Sequence, residues 1–452
     1  MLRRKIESDI RSYLTSDSNK MMILTGARQV GKSYIIRHVG QQLFPNYIEL
    51  NMAEDQTGPQ LFANVRTVED FYLAMSITAG DRMKDKQSTL VFIDEIQTYT
   101  QLLTLIKFLK ADDRFTYIAS GSLLGITLKQ TTSIPVGSIL VKHLYPLDFE
   151  EFLWANLVGG EMISKMREMY HSCQTLPTAI HEKMMDLFKK YLLVGGLPDA
   201  VNTFINTHNI MEVRSIHDDI HRLYKLDAAR YEASSNKVLK IQRIYDMVPS
   251  NLENKKKRIV VKKIEDKTGA RISDYNDEFE YLIHSGIALE VLAVSNPSYP
   301  LVQNMGKNLL KLYLNDVGLL TNQLFRTDIQ AIMQNIRSIN MGAVYESVVA
   351  QELAAHGNRL FYYDNKQKGE VDFLIDDVEN HTMMPLEIKS GKDYSTHRAL
   401  DRFINNHDYN VHRAIVLSNE GKAFRDGVIT YMPIYNIMFI HEEITETSSL
   451  SL

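Results

Sequence analysis

The chain has 452 residues, of which 44% are hydrophobic and 23% are charged, and its formal net charge is −4. A chain of this length is too long to fold around one hydrophobic core, so about two to four domains are expected. The net charge excludes an overall positive field that would attract nucleic acid or an anionic membrane. The single cysteine, Cys173, excludes an internal disulfide and fits a reducing compartment. Residues 1–10 lack the apolar core of a signal peptide, and no apolar run approaches the ~20 residues of a membrane span. We therefore expect a soluble cytoplasmic protein with no membrane partner.

A short amphipathic helix at 5–18 precedes the apolar run Met22–Leu24, which predicts a buried strand. The strand leads into GARQVGKS at 26–33, which matches G-x-x-x-x-G-K-[ST] at every fixed position. Its glycines permit a tight loop whose N–H groups point at phosphate oxygens, and the helix that follows aims its positive end at the same phosphates. Lys32 would reach the β- and γ-phosphates, and Ser33 would ligate Mg²⁺. The residues predicted to bind ATP in this loop are Gly26, Ala27, Arg28, Gln29, Val30, Gly31, Lys32 and Ser33.

A second half of the site follows the continuous apolar run Thr89–Ile93, which is typical of a central parallel strand covered on both faces. The run ends in Asp94 and Glu95, a Walker B pair. Asp94 would hold Mg²⁺ directly or through water, and Glu95 would polarise the attacking water. An acidic pair that only caps a strand is the alternative, which the phosphate-binding loop upstream disfavours.

The next predicted strand, Phe115–Ala119, exits through the polar residues Ser120 and Ser122. In P-loop ATPases with an additional strand, a polar residue at this place lies beside the γ-phosphate and senses the nucleotide state. Ser120 or Ser122 could do this, and simple turn chemistry is the alternative. A further strand is predicted at 136–144, and helical pattern fills 66–85 and 101–110.

A resemblance to a known family rests on five segments of the sequence. They are GARQVGKS, LVFIDEIQ, SGSLLG, PVGS with LYPLDFEEFL, and YLLVGGLPDAV. In this order and spacing they resemble a large group of bacterial and archaeal AAA-type ATPases whose C-terminal half carries a domain of unassigned function. The resemblance extends from about residue 15 to 430. It implies an ATPase core at 1–147, a helical lid at 148–232 and a distal nuclease-like domain. The predicted lid helices are 149–157, 180–194 and 199–205.

The family pattern is incomplete in one respect, because ring-forming AAA ATPases complete each site with an arginine from a neighbouring subunit. This sequence has no arginine between Arg114 and Arg167, so Lys129 or Lys142 could replace it, or Arg114 could reach. A missing arginine finger lowers the rate by about 10³ or more. We therefore expect slow ATP turnover. The sequence leaves open whether the protein forms a homo-oligomer. On the lid, the candidates for a sensing arginine, each of which more simply lies on a solvated helix face, are Arg214, Arg222 and Arg230.

Residues 233–325 have the pattern of a winged helix, a fold that often binds DNA. The basic run Lys255–Lys267 suits phosphate contacts, whereas the third helix is acidic and has the wrong sign for a groove. DNA contact through this run and a packing or protein-partner role both stay open. The predicted elements are helices at 236–252, 259–268 and 273–285, a strand at 287–294 and a second short strand.

Residues 335–445 have the element order α-β-β-β-α-β, and this order, with an aspartate followed by Glu-x-Lys, resembles the PD-(D/E)XK nuclease superfamily. Alternate residues of a strand share a face, so Glu387 and Lys389 point the same way, and Asp372 on the adjacent strand reaches the same point. The two carboxylates would bind a divalent cation, with Glu346 as a further ligand, and Glu370, which lies on the same face, could share the metal. Lys389 would position the attacking water. A solvated ion-pair cluster on an inactive fold is the alternative.

These patterns predict an α/β multidomain protein in which an AAA-type parallel-sheet core with a helical lid precedes a winged-helix-like domain and a nuclease-like domain. We expect a Mg²⁺-dependent ATPase whose nucleotide state gates a DNA-binding or nuclease-like C-terminal region. The alternative is a nucleotide-dependent binding switch for a protein partner, with an inactive nuclease-like domain. Predicted catalytic residues are Lys32, Glu95, Asp372, Glu387 and Lys389; further nucleotide-binding residues are Asp94 and Ser122; predicted metal ligands are Ser33, Asp94, Glu346, Asp372 and Glu387.

Overall fold

The chain divides into two compact units, Arg3–Tyr145 with Glu280–Ile287, and Pro146–Phe279 with the residues from Ala288 onward. Within the ranges that the structure describes, no helix combines the length and the apolar character that crossing a membrane requires. The computed structural model describes residues 2–122, 136–231, 234–254, 257–265, 269–334, 341–391 and 393–441.

The first unit is built on a five-stranded parallel sheet with the order β2-β3-β4-β1-β5. All six residues of β3 are buried, which explains its continuous apolar sequence. Because the strands are parallel, the segments that follow β1, β3 and β4 meet at one edge of the sheet. The strands are β1 (Met21–Thr25), β2 (Asn46–Asn51), β3 (Thr89–Asp94), β4 (Thr116–Gly121) and β5 (Ile139–His143).

Helices pack around this sheet and bury a core that includes Phe71, Met75, Leu103 and Ile106. The predicted helical stretch 66–85 is shorter in the structure, because a capping box at Thr67 starts the helix and Gly80 ends it. The predicted strand at 136–144 begins only at Ile139, after a short 3-10 turn. The α-helices are Ile6–Leu14, Lys32–Leu43, Met52–Thr57, Val68–Ala79 and Thr100–Asp112.

The second unit begins with the helices predicted as a lid. The segment LYPLDFEEFL forms the entry to the first of them, where the Asp148 carboxylate accepts the Glu151 N–H at 2.9 Å and Glu352 Oε1 accepts the Phe149 N–H at 2.9 Å. Carboxylates in this segment therefore cap a helix start. Two further helices of this predicted helical region, Gly160–His171 and Ile210–Tyr231, lie outside the three ranges that were predicted for single helices. The α-helices before the second sheet are Phe149–Ala155, Gly160–His171, Thr178–Val194, Pro198–Thr207, Ile210–Tyr231, Ser235–Leu252, Lys262–Glu265 and Asn276–His284.

An eight-stranded mixed sheet organises the rest of the second unit, with the order β12-β13-β11-β10-β9-β8-β6-β7. Its α-helices are Val317–Leu324, Ile329–Met333, Gly342–Ala355 and Arg398–Ile404. Its strands are β6 (Ala288–Val294), β7 (Met305–Leu314), β8 (Phe361–Asn365), β9 (Gly369–Asp377), β10 (Thr382–Lys389), β11 (Ala414–Ser418), β12 (Phe424–Asp426) and β13 (Ile429–Pro433).

The predicted wing is part of this sheet. β6 and β7 form an antiparallel hairpin, and β6 also pairs in parallel with β8, with Leu292 opposite Phe361. Of the predicted helix at 259–268, residues 266–268 lie outside the described residues, and in the described part the helix Lys262–Glu265 begins later than predicted, because Ile259 donates its N–H to Leu310 O on β7 at 3.2 Å. The hairpin therefore extends the distal sheet, which a winged helix standing alone would not do.

The predicted order α-β-β-β-α-β is present from Gly342 to Ser418. β9 and β10 are antiparallel, with Phe373 opposite Leu386, so Asp372 lies beside Glu387. Side chains such as Leu374, Leu400 and Val416 fill the core of this region, and the carboxylates project from the strands that this core supports.

Candidate nucleotide-binding site and acidic cluster

The loop after β1 has the backbone that its glycines permit. Gly26 has a φ of +140°, and a Cβ at this position would lie 2.2 Å from Leu144 O. Gln29 and Gly31 also have positive φ angles, of 66° and 93°. The helix Lys32–Leu43 starts directly after Gly31. The loop thus turns tightly enough to place successive N–H groups around one point, which suits a phosphate.

The Lys32 side chain is buried and folds back over the loop. Its ammonium donates to Gly26 O at 3.0 Å and to Ala27 O at 2.9 Å. Phosphate oxygens bound by the loop would replace these carbonyls with charged acceptors. The ammonium therefore stands where the sequence pattern requires it.

Asp94, at the end of β3, is brought together with Ser33. The Ser33 hydroxyl donates to the carboxylate at 2.9 and 3.0 Å, and the Ser120 hydroxyl donates to the same group. Burial raises the pKa of Asp94, and the charge of Glu95 adds to the rise. A buried carboxylate next to a hydroxyl is a donor set that fits Mg²⁺, because a hard cation binds oxygen and would stabilise the ionised form.

Glu95 is held by neighbours that orient its side chain. Gln97 Nε2 donates to Glu95 Oε2, and Ser122 Oγ donates to the same oxygen at 3.2 Å. Gln97 also donates to Ser122 Oγ at 3.3 Å. A Cβ at Gly121 would lie 2.6 Å from Gln97 Oε1, so the glycine makes room for this contact. The sequence predicted Glu95 and Ser122 but missed Gln97, although it lies inside the quoted segment LVFIDEIQ.

Arg4 is a second residue that the sequence did not indicate. It is buried, and its guanidinium donates to Val30 O at 3.0 Å and to Tyr145 O at 2.7 Å. The side chain therefore ties the phosphate-binding loop to the segment after β5. A basic N-terminus carried no signal for such a contact.

The candidates for an arginine finger lie elsewhere. Arg114 precedes β4, so it lies at the end of the strand opposite to the site, where it stacks over Tyr72 at 4.2 Å. Lys142 pairs with Asp9 at 3.0 Å, and Lys129 lies outside the described residues.

The two lid candidates whose side chains the structure describes, Arg214 and Arg222, both have partners within the chain. Arg214 was predicted on a solvated or sensing face, and this is wrong, because the side chain is 1% exposed and donates to Leu193 O and Gly318 O. Arg222 pairs with Asp219 at 3.4 Å on the surface. The side chain of Arg230 lies outside the described part of the chain.

The predicted carboxylates of the distal domain form a cluster. Asp372 Oδ2 accepts the Ile388 N–H at 2.8 Å, beside Glu387 on the neighbouring strand. Burial and the charge of Asp372 raise the pKa of Glu387 to about 8, and they also raise the pKa of Glu346. Lys389 donates to Glu387 Oε1 at 2.8 Å. Glu346, Asp372, Glu387 and Lys389 thus lie close enough to influence one another through their charges.

Two described residues of the basic run, Lys257 and Arg258, form ion pairs with acidic residues of this domain. Lys257 pairs with Glu346, and Arg258 pairs with Asp364. The buried Lys311 pairs with Glu370 at 2.6 Å, so Glu370 is neutralised by a cation of the protein. Lys257 and Arg258 are therefore engaged in ion pairs within the chain, and their charges are not available to the predicted phosphate-binding surface. Lys262 and Lys263 are exposed, whereas Lys255, Lys256 and Lys267 lie outside the described residues.

The fit of a metal to the acidic cluster rests on Glu387. Its side chain is 7% exposed, and Oε2 is buried with no hydrogen-bond partner. An orphaned carboxylate oxygen next to two further carboxylates is a donor set for a divalent cation. Among the described residues, however, no three His, Cys, Asp or Glu side chains are arranged as a ready-made metal site.

A phosphate-binding loop after β1, an acidic pair after β3 and a strand inserted between them define a P-loop nucleotide-binding domain. Residues 18–153 match the family model of an AAA domain, so this part of the chain is an AAA-type P-loop ATPase domain. Residues 185–330 and 341–437 match two models described as domains of unknown function, DUF8612 and DUF4143. A search of curated proteins finds no match.

Solved structures are similar to the chain only at a distance. The Walker-type ATPase of Pyrococcus abyssi is 14% identical, with 71% of this chain and 95% of that chain covered and a TM-score of 0.42. The Hsp104–ADP complex of S. cerevisiae is 14% identical, with 78% and 43% covered and a TM-score of 0.29. C. elegans PCH-2 is 17% identical, with 39% and 48% covered and a TM-score of 0.22. Scores this low carry no conclusion about activity or assembly.

Proposed function

We propose that the protein binds ATP with Mg²⁺ at the loop 26–33 and hydrolyses the γ-phosphate slowly. The observation that carries this proposal is the hydrogen bond from Ser33 to Asp94 at 2.9 Å, which joins the two halves of the site. Lys32 and the loop N–H groups would bind the phosphates. Ser33 and Asp94 would hold the Mg²⁺, which supplies charge neutralisation when bound.

The hydrolytic step would depend on Glu95, which would orient the attacking water. Gln97 and Ser122 fix the direction of its carboxylate. Slow turnover is part of the proposal, because two of the candidate cations are held within their own chain: Arg114 pairs with Asp112 and stacks over Tyr72, and Lys142 pairs with Asp9. Without a cation on the developing charge, the rate would stay about 10³-fold below that of a complete site.

The ATP proposal is tested with Lys32→Ala and with Lys107→Ala as a matched control, since Lys107 is exposed on the helix Thr100–Asp112. Loss of a hydrogen bond to a charged group weakens binding by roughly 10- to 150-fold. We expect Lys32→Ala to lose at least tenfold in affinity for a fluorescent ATP analogue, and Lys107→Ala to bind as the wild type does. Equal affinity in all three proteins would contradict the proposal.

A second candidate function concerns the distal domain, and the clustering of Glu346, Asp372 and Glu387 with the orphaned Glu387 Oε2 favours it. We infer metal-dependent cleavage of DNA phosphodiesters, gated by the nucleotide state of the AAA domain. The three carboxylates would hold a divalent cation, which supplies activation of a water when bound. Lys389 would position that water.

Nicking of plasmid DNA in Mn²⁺ or Mg²⁺, with and without ATP, separates this function from its rival. Cleavage that Lys389→Ala abolishes, and that Asp408→Asn leaves intact, supports the enzyme; Asp408 is an exposed acidic residue of the same unit. Nucleotide-dependent binding of a partner that Lys389→Ala leaves unchanged, in a protein that never nicks DNA, supports the binding switch with an inactive nuclease-like domain.

A further inference from the structure

A lysine of the protein itself, Lys257, lies next to Glu346, one of the predicted metal ligands. The Lys257 ammonium pairs with Glu346 Oε1, and the side chains of the pair are only 18% and 4% exposed. The other oxygen of Glu346 accepts the Tyr313 hydroxyl at 3.1 Å. Both oxygens of this predicted ligand are therefore occupied by groups of the chain.

Lys257 reaches this position through an unfavourable backbone conformation. Its φ is +49°, in the left-handed region that side chains other than glycine rarely adopt. Its N–H donates to Asn254 O at 3.0 Å. A backbone of this kind persists where other contacts hold the residue, and the buried ion pair with Glu346 is one such contact.

The charge of the cluster explains why the ammonium is held. Burial would lower the pKa of Lys257, but the charges of Glu346, Asp372 and Glu370, together with the hydrogen bond to Glu346, raise it. Two of the carboxylates that attract the ammonium, Glu346 and Asp372, are predicted metal ligands. Glu387 is the third carboxyl group of the cluster, and Lys389 donates to its Oε1 at 2.8 Å.

The other cations around the cluster have partners outside the ligand set. Lys311 pairs with Glu370, and Arg258 pairs with Asp364. Among the described residues, the cations that pair with a predicted metal ligand of this domain are Lys257 and Lys389. Lys389 belongs to the Glu-x-Lys motif and has a predicted role in positioning the water. Lys257 has no such role, so it is the cation that would compete with a metal for Glu346.

We propose that Lys257 is a built-in competitor of the divalent cation, an inference that rests on the metal site proposed above. An ammonium and a divalent cation that share one oxygen of Glu346 would repel each other at close range. The acidic cluster therefore binds metal more tightly when Lys257 leaves it. The distal domain is held inactive by its own chain.

The test measures binding of Mn²⁺ by electron paramagnetic resonance in the full chain carrying Lys32→Ala and Asp94→Asn, which silence the P-loop site. In this background we compare Lys257→Met with Lys262→Met, because Lys262 is exposed and belongs to the same basic run. We expect Lys257→Met to bind Mn²⁺ at least tenfold more tightly than the background protein. Lys262→Met should change nothing, and Glu346→Gln added to Lys257→Met should abolish the gain.

The outcomes separate the competitor from the metal site. If the background protein already binds Mn²⁺ as tightly as Lys257→Met, the competitor role is overturned while the metal site stands. If neither protein binds Mn²⁺, both ideas are overturned.

A measurement on the native chain protects the test against a variant that does not fold. Mass spectrometry after amine acetylation should show that Mn²⁺ increases the labelling of Lys257 relative to Lys262. Binding of Mn²⁺ with unchanged labelling of Lys257 would overturn the competitor role.

Discussion

Replacing Gln97 by alanine isolates the orientation of Glu95 from the binding of nucleotide. The amide of Gln97 donates to Glu95 Oε2 and to Ser122 Oγ, and it does not contact the loop 26–33 through any described hydrogen bond. A hydrogen bond to a charged group is worth about 1.5–3 kcal/mol, and each 1.36 kcal/mol is tenfold in rate. If this contact is fully expressed in the transition state, kcat falls by about 10- to 100-fold while the affinity for ATP stays the same.

The assay combines phosphate release at saturating ATP with equilibrium binding of a fluorescent ATP analogue. Gln101→Ala is the matched control, because Gln101 donates to Phe62 O and Ala63 O on another part of the unit. We expect kcat to fall in Gln97→Ala and to stay unchanged in Gln101→Ala. An unchanged kcat in Gln97→Ala, or a loss of affinity equal to the loss of kcat, would refute the positioning role.

Three further predictions use other parts of the structure. Gly26→Ala should abolish binding of the ATP analogue, because its Cβ would lie 2.2 Å from Leu144 O, whereas Gly137→Ala, with open space around it, should bind normally. Burial raises the pKa of Asp316 from its ordinary 3.8 to about 6, so the folded protein binds this proton more tightly than the unfolded chain does. The contribution of Asp316 to the free energy of unfolding therefore falls as the pH rises from about 4 to 6. Urea titrations at a series of pH values should show that the free energy of unfolding falls by about 3 kcal/mol less in Asp316→Asn than in the wild type. An equal fall in the two proteins would contradict this. ATP turnover should stay below about 10 per second, with or without DNA, and a faster rate in a phosphate-release assay would show that a catalytic cation is present after all.

The nucleotide site was predictable because its chemistry is local in sequence. A phosphate-binding loop needs glycine, lysine and serine at fixed spacing, so residues 26–33 were recognisable without any tertiary contact. Arg4 and Gln97 were missed for the opposite reason. Arg4 acts on a carbonyl 26 residues away. Gln97 acts through a turn in which Glu95 has a φ of +53°, and such a turn leaves no pattern in hydropathy.

The distal part of the second unit, from Gly342 to Ser418, was predicted in its element order, but its pairing with β6 was not. The order from Gly342 to Ser418 follows from alternation of apolar and polar residues, which each strand carries by itself. That β6 joins β8 depends on contacts between Leu292–Val294 and Phe361–Tyr363, far apart in the chain. Patterns within one segment cannot supply such a pairing, so the hairpin was taken for a separate wing.

The charges of the basic run show why sign alone did not decide between DNA and a packing role. Lys257 and Arg258 suit phosphate contacts by composition, yet their side chains are 18% and 17% exposed because they neutralise Glu346 and Asp364. A nucleic-acid strand whose phosphates bound Lys257 would break the ion pair between Lys257 and Glu346. Glu346 would then be free to bind a metal. Nucleic acid would then raise the affinity for the metal, and the metal would raise the affinity for nucleic acid by the same factor, because linkage between two binding equilibria is reciprocal.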